Sequence, residues 1–327
     1  MLKGLALTPP VVGRIAIGRV VMRDGKRLPE KDDEFTLTTQ VQGLGGWILH
    51  PLDAQLRKSV GKGNTAHTAS AKLRAIPVRL LFDDPDLNFR AHYSLFDRTT
   101  GRPLCVGNGE TARRVAPDTE EGIRSLPCPA PECCSFGAGG CKPYARLNVR
   151  IDQEDALGDE LGSFIFRTTG FNSIRTLAAR LRYFQALSGN HLSVLPLELR
   201  LRGKSTTQSH RAPIYYVDLT VRTGSTLAQA LEAARAEVQA RQAAGFDQAA
   251  LDQAAREGFA AGAFEESVEE GAAVVEEFFP EAAGEPAATG PRQKKSALGD
   301  KLQRLVAKGE GAKGESGEKG TDHAPTG

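Results

Sequence analysis

No stretch of the 327-residue chain reaches the roughly eighteen uninterrupted apolar residues that a membrane span needs. Met1 to Leu7 offers a lysine and a few apolar residues, but Thr8, Pro9 and Pro10 cut that run short of a secretory signal's apolar region. The expectation is a cytoplasmic protein with no membrane partner. Aromatics are sparse at 6%, with a single Trp, and cysteine is absent outside Cys105 to Cys141. HExxH, GxSxG, a Walker loop and a dinucleotide fingerprint are all missing. No catalytic residue and no organic-cofactor residue is therefore assigned, and the chain is read as a non-enzyme.

What is present fits an ordinary globular chain, with 40% apolar and 25% charged residues and enough length for a sizeable core. The net charge of +2 hides an uneven distribution. Residues 226–290 carry three Arg against eleven Glu and two Asp, or −10, and 291–327 carry +3, which leaves +9 on residues 1–225. A basic body permits contact with DNA phosphates or an acidic partner, although a generic solvated surface has the same composition.

The first 225 residues read mostly as strands. Val11 to Met22, Phe35 to Val41 and Ile76 to Phe82 have strand composition. Leu197, Leu199 and Leu201 alternate with Glu198, Arg200 and Arg202, the period of a half-buried strand, and Ile214 to Arg222 repeats it. One helix interrupts them. From Ile174, the positions Leu177, Ala178, Leu181 and Gln185 or Phe184 fall at helical spacing, with Asn172 or Ser173 available as a cap and Gly189 as a stop. Arg175 and Arg182 share its outer face, where solvent is the expected neighbour and DNA or a protein partner the alternative. After Gly224 the composition turns to Ala, Glu and Gln. Ser225 is the candidate cap of a helix carrying Leu227, Leu231, Ala234 and Val238, Gly245 its break, and a second helical piece follows around Leu251. A stripe made mostly of alanine predicts loose packing or a helix awaiting a partner.

The predicted fold is thus α+β. A mainly β-sheet body with one or two packed helices spans 1–225 and includes a Cys-ligated zinc loop at 103–143. An Ala/Glu-rich helical extension follows at 226–270, then an acidic and finally basic disordered tail at 271–327. In the tail only Val274 to Glu281, VVEEFFPE, stands out.

The strongest chemical signal is the crowding of Cys105, Cys128, Cys133, Cys134 and Cys141 among prolines and glycines. Thiols stay reduced in the cytoplasm, which disfavours disulfides. Structural zinc, which accepts four thiolates in a tetrahedron, explains the cluster better. Four residues separate Cys128 from Cys133 and seven separate Cys133 from Cys141, a spacing near a zinc knuckle but not the twin CxxC form. The ligand set is Cys105, Cys128, one of Cys133 and Cys134, and Cys141. Such a site is closed, with no position left for an activated water. His92 is a substitute ligand at most. Pro103 to Pro143 has few large apolar residues, so burial alone does not offset the entropy of ordering it, and metal supplies the difference.

Asp83, Asp84 and Asp86 around Pro85 resemble a cation cluster, but acids beside proline between strands are usually turn formers. A magnesium-nuclease reading joining Asp86 to Glu198 and Lys204 rests on a loose pattern. The glycine runs at 43–46 and 61–63 read as turns.

Several segments together resemble one family. Gly13 to Thr39, Ile76 to Phe89, Leu104 to Arg114, CPAPECCSFGAGGCKPYARLNVRI (Cys128 to Ile151) and Gly162 to Leu177 follow the order seen in phage recombination directionality factors, the partners of large serine integrases. The resemblance covers roughly residues 10–222, and the cysteine segment running into CKP and RLNV is its most specific part. It implies an accessory protein that binds the integrase on DNA, directly or through the recombinase, and favours excision of a mobile element while the integrase serine does the bond chemistry. The Cys133-Cys134 pair blurs the ligand assignment, and the extension after Gly224 lies outside the resemblance. A DNA-binding recombination protein, single-strand or duplex, is the alternative, and a metal-dependent hydrolase is a more distant one.

Overall fold

The computed structural model describes residues 10–23, 26–44, 46–62, 72–118, 122–129, 131, 134–137, 139–152, 162–205, 207, 211, 213–261, 271, 274, 275 and 277–279. Cys133 and residues 280–327 lie outside them, and with the latter most of the tail predicted at 271–327.

In chain order the elements are β1 (Val11–Arg23), β2 (Lys26–Gly43), β3 (Gly46–Leu49), α1 (Pro51–Lys62), β4 (Ala75–Arg79), α2 (Pro85–Asn88), β5 (Phe89–Phe96) and β6 (Pro103–Gly107). Then come β7 (Thr111–Val115), β8 (Ile123–Pro127), β9 (Lys142–Ile151), β10 (Ser163–Thr168), α3 (Phe171–Ser188), β11 (Leu197–Lys204), β12 (Ile214–Val221), α4 (Leu227–Ala243) and α5 (Gln248–Ala261). The class is α+β, mainly sheet with a few helices, as the sequence predicts.

The strands form one long path, β3-β2-β1-β10-β9-β5-β6-β7-β8, from which β4, β11 and β12 branch at β9. β1 runs parallel to β10, while β9 is antiparallel to both β10 and β5. Side chains alternate across such a sheet, so each strand splits its residues between two faces. Ile15, Leu147, Phe166 and Phe89 share the inner face and build the main core with Leu197, Leu199 and Leu219 of the branch.

The inner face is closed by α3, whose Ile174, Leu177, Leu181 and Phe184 are buried at helical spacing. Gly189 ends it in the left-handed region at φ 68°, where glycine carries no Cβ penalty. Neither predicted cap serves. Gly170 is the N-cap, Ser173 Oγ instead accepts from the Val217 N–H at 3.0 Å, and Asn172 accepts from Lys204 Nζ at 2.7 Å. Both side chains tie α3 to the branch sheet. Arg182 faces outward and donates to Asp86 at 3.1 Å.

The alanine-rich helices pack on the body. Ala234 of α4 enters the main core with Leu231 and Val238 beside it, and Ala255 of α5 is buried against Phe82 and Leu87. Alanine allows close approach here, so a weak apolar stripe still finds a seat. The start of α4 differs from the expected Ser225: Thr226 and Gln229 form a reciprocal capping box. The expectation of a disordered tail from 271 fails at its beginning. Val274, Phe278 and Phe279 are buried with Phe96 and Tyr144, because the tail's aromatic residues find an apolar surface on the sheet.

Candidate metal centre

The hairpin β6–β7 places the first thiol. Asn108 caps its own turn, accepting from the Glu110 and Thr111 N–H groups at 2.9 and 2.8 Å. That turn sets Cys105 opposite both Leu95 of β5 and Arg114 of β7. Cys105 is buried with Leu95 and Ala112, and Cys128, Cys141 and Phe136 pack against the same small cluster. Cys128 follows β8 and is anchored by its N–H to the Glu110 carbonyl at 2.8 Å. Gly107 makes room for it, since a Cβ there would stand 2.6 Å from Cys128 Sγ.

Cys134 opens a tight turn. Its carbonyl accepts from the Gly137 N–H at 2.9 Å, and the Phe136 carbonyl accepts from the Cys141 N–H at 3.0 Å. The backbone N–H groups of Phe136 and Gly137 also point at Cys134 Sγ. With Arg114 Nη2 at 3.6 Å, they pull the Cys134 thiol below its ordinary pKa, the Phe136 N–H contributing most. Arg114 stands beside Cys105 as well, and its guanidinium stacks over the Phe136 ring at 3.8 Å. Cys141 goes the other way. Burial, and then the charges of Cys105, Cys134 and Cys128, push its thiol up to about 11.

Four of the five predicted ligands, Cys105, Cys128, Cys134 and Cys141, are free thiols gathered at one place. Among the described residues no group of three or more Cys, His, Asp or Glu side chains is placed so that it could hold a metal ion, so the predicted zinc loop is not shown. The donor chemistry nevertheless fits a soft divalent ion. Four thiols near one another, the Cys141 thiol pushed up by burial and by the charges of the other three, supply the soft donors that such an ion takes. His92 does not join them. It lies on β5 opposite Tyr144, at a register position of the other sheet face from Leu95 and Cys105. Arg114 was not singled out by the sequence reading, although the Asn108-Gly109 turn signal fixes its register with Cys105.

The acidic candidates serve structure. Asp84 caps α2 by accepting from the Asp86 N–H at 2.9 Å and pairs with Arg256 Nη2 at 3.0 Å. Asp83 accepts from the Ser193 N–H at 2.8 Å. Buried Asn88 accepts from the Leu81 and Phe82 N–H groups, completing the turn. Glu198 is taken by Arg200, Thr220 and Thr223, and Lys204 by Asn172, so the nuclease grouping with Asp86 is not formed.

The described residues define an α+β protein in which a long β-path carries a thiol-bearing hairpin. Residues 12–222 match the Gp3-like family, described as recombination directionality factor-like, and the chain belongs to that family. The match runs from β1 through β12 and ends before α4. No curated protein and no solved structure matches the chain. Among the described residues no helix is long and apolar enough to cross a membrane.

Proposed function

We propose that the protein is an accessory factor of site-specific recombination that binds a recombinase on DNA and favours excision of a mobile element, without catalysing bond exchange itself. The observation that carries this reading is the family match over residues 12–222, which spans the whole sheet body. The resemblance noted in the sequence points to a serine integrase as the partner. The aspartates around Pro85 are bound up in caps and ion pairs, which agrees with a non-catalytic role. The test is in vitro recombination by the recombinase encoded beside the gene, with and without purified protein. Added protein should raise excision and depress integration. An unchanged ratio at saturating protein refutes the reading.

Within that function Cys105, Cys128, Cys134 and Cys141 take one structural zinc. Supporting this is their convergence from four chain segments, β6, the end of β8, the 134–137 turn and the start of β9. Zinc would supply cross-linking of the β6–β8 excursion to β9. The thiols hold the ion, Arg114 and the Phe136 and Gly137 N–H groups balance the thiolate charge, and Gly107 leaves space for Cys128. Cys134 is chosen over its neighbour because its sulfur already receives the N–H groups of its own turn.

A further inference from the structure

The sheet face opposite the main core is basic and aromatic. Register places Arg14 of β1, Arg167 of β10, Lys142 and Tyr144 of β9 and Phe96 of β5 on that face, across four consecutive strands. An exposed face of this composition would be ordinary. Here Arg14 and Arg167 are only 6% and 8% exposed: a distant piece of the same chain lies over them, and the Arg14 guanidinium also stacks over the Trp47 ring at 3.8 Å.

The covering piece is the start of the tail. Glu277 forms a salt bridge with Arg14 and lies 3.8 Å from Arg167 Nε. The Phe278 ring meets Phe96 edge to face at 4.8 Å and Tyr144 at 5.8 Å, with Lys142 Nζ 4.5 Å from its centre. Phe279 packs on Phe278 at 4.7 Å and takes the Arg98 guanidinium over its ring at 4.6 Å. Its N–H donates to the Val275 carbonyl at 2.8 Å, so the residues make one helical turn, and Val274 is fully buried beneath it. Gly271 sits against Gly101 so closely that a Cβ at Gly101 would fall 2.2 Å from the Gly271 carbonyl oxygen.

Two separate recognitions meet in this contact. A carboxylate is read by a pair of sheet arginines, and an adjacent aromatic ring enters a pocket of two aromatic rings and an ammonium. Those are the elements by which a folded domain captures a short linear peptide. The bound residues lie about fifty positions beyond the end of the family match, in the acidic stretch of the chain. The docking face itself belongs to the matched body.

We propose that this face is a peptide-docking surface for an acidic, aromatic segment of a partner protein, and that the chain's own Val274, Glu277, Phe278 and Phe279 occupy it in cis until the partner displaces them. The partner segment is defined by its chemistry, a carboxylate followed directly by one or two aromatic side chains. Charge complementarity and the aromatic pocket favour such a peptide over a phosphate backbone, which has no ring to place between Phe96 and Tyr144. The inference does not depend on the identity of the recombinase.

The experiment compares the full chain with its E277A/F278A variant, using a fluorescent peptide of residues 271–281 as probe. A tethered segment competes at an effective concentration on the order of millimolar, so the variant should bind the peptide at least about tenfold more tightly than the wild type. Adding R14A and R167A to the variant should abolish that gain. Equal binding to wild type and variant, or binding to neither, overturns the proposal. So does loss of cooperative unfolding in E277A/F278A, which would make the segment part of the core. A wild-type dimer that dissociates on this substitution overturns occupancy in cis, and single-stranded DNA captured by the unmasked face without competition from the peptide overturns the peptide assignment.

Discussion

His92 should make the protein's stability fall between neutral pH and pH 4 in a way that one substitution removes. The imidazole lies on β5 beside Arg90 and opposite β9, in a small recess lined also by Arg146 and Tyr144. Burial first, and then the charges of Arg146 and Arg90, lower its pKa from 6.5 to about 4. Since the folded pKa lies below the unfolded one, the folded state binds fewer protons in that interval. The contribution is complete above about 6.5, declines as pH falls, and is exhausted below about 4. At about 1.4 kcal/mol per unit the span corresponds to about 3 kcal/mol. His50, also lowered by burial, adds in the same direction. Asp152, Glu198 and Asp218 are held below their ordinary values despite burial, by the arginines and hydrogen-bond donors around them. Their losses therefore fall at the acid end of the range. Urea unfolding from pH 7.5 to 4.5 should show the wild type losing most of its midpoint advantage, and His92→Gln should flatten much of that dependence. The same slope in the variant, or an imidazole resonance titrating near 6.5, refutes the burial argument.

Protein purified without chelator should carry about one zinc per chain, and Cys105→Ser should release it and speed proteolysis within 103–143 while β11 and β12 persist. Elemental analysis with timed digestion checks this, and a zinc-free wild type refutes the site. Phe166→Ala should cost about 3 to 5 kcal/mol by urea denaturation, since the ring is 1% exposed between α3 and the sheet. Thr226→Ala removes the side chain that accepts from the Gln229 N–H at 3.2 Å, and should cost about 1 kcal/mol. Faster amide exchange in the first turn of α4, with the sheet unaffected, is the accompanying sign.

The periodicities in the sequence were enough for β11, β12 and α3. Leu197, Leu199 and Leu201 alternate, Leu177, Leu181 and Phe184 keep helical spacing, and each set is buried as its period requires. The helix α1 was not legible: its buried apolar side chains among the described residues are Leu52 and Leu56, a stripe too short to separate from a loop. The cysteines raised the expectation of a metal loop, and their nearness in sequence limited where a thiol cluster could lie. Which thiols converge depended on the hairpin register that sets Cys105 across from Arg114, and on the turn that aims two N–H groups at Cys134.

Residue types and local spacing determined that this chain is a β-rich body with a thiol cluster and an acidic, aromatic tail. Tertiary structure alone decided that the start of the tail is seated on the sheet. Arg14 and Glu277 are 263 residues apart, and no local period relates them. Their meeting follows from strand order, which brings β1, β10, β9 and β5 side by side, and from the two-residue pleat, which turns their arginines, lysine and aromatic rings to a common face. A sequence fixes which side chains can pair, but the sheet's register decides which of them are within reach.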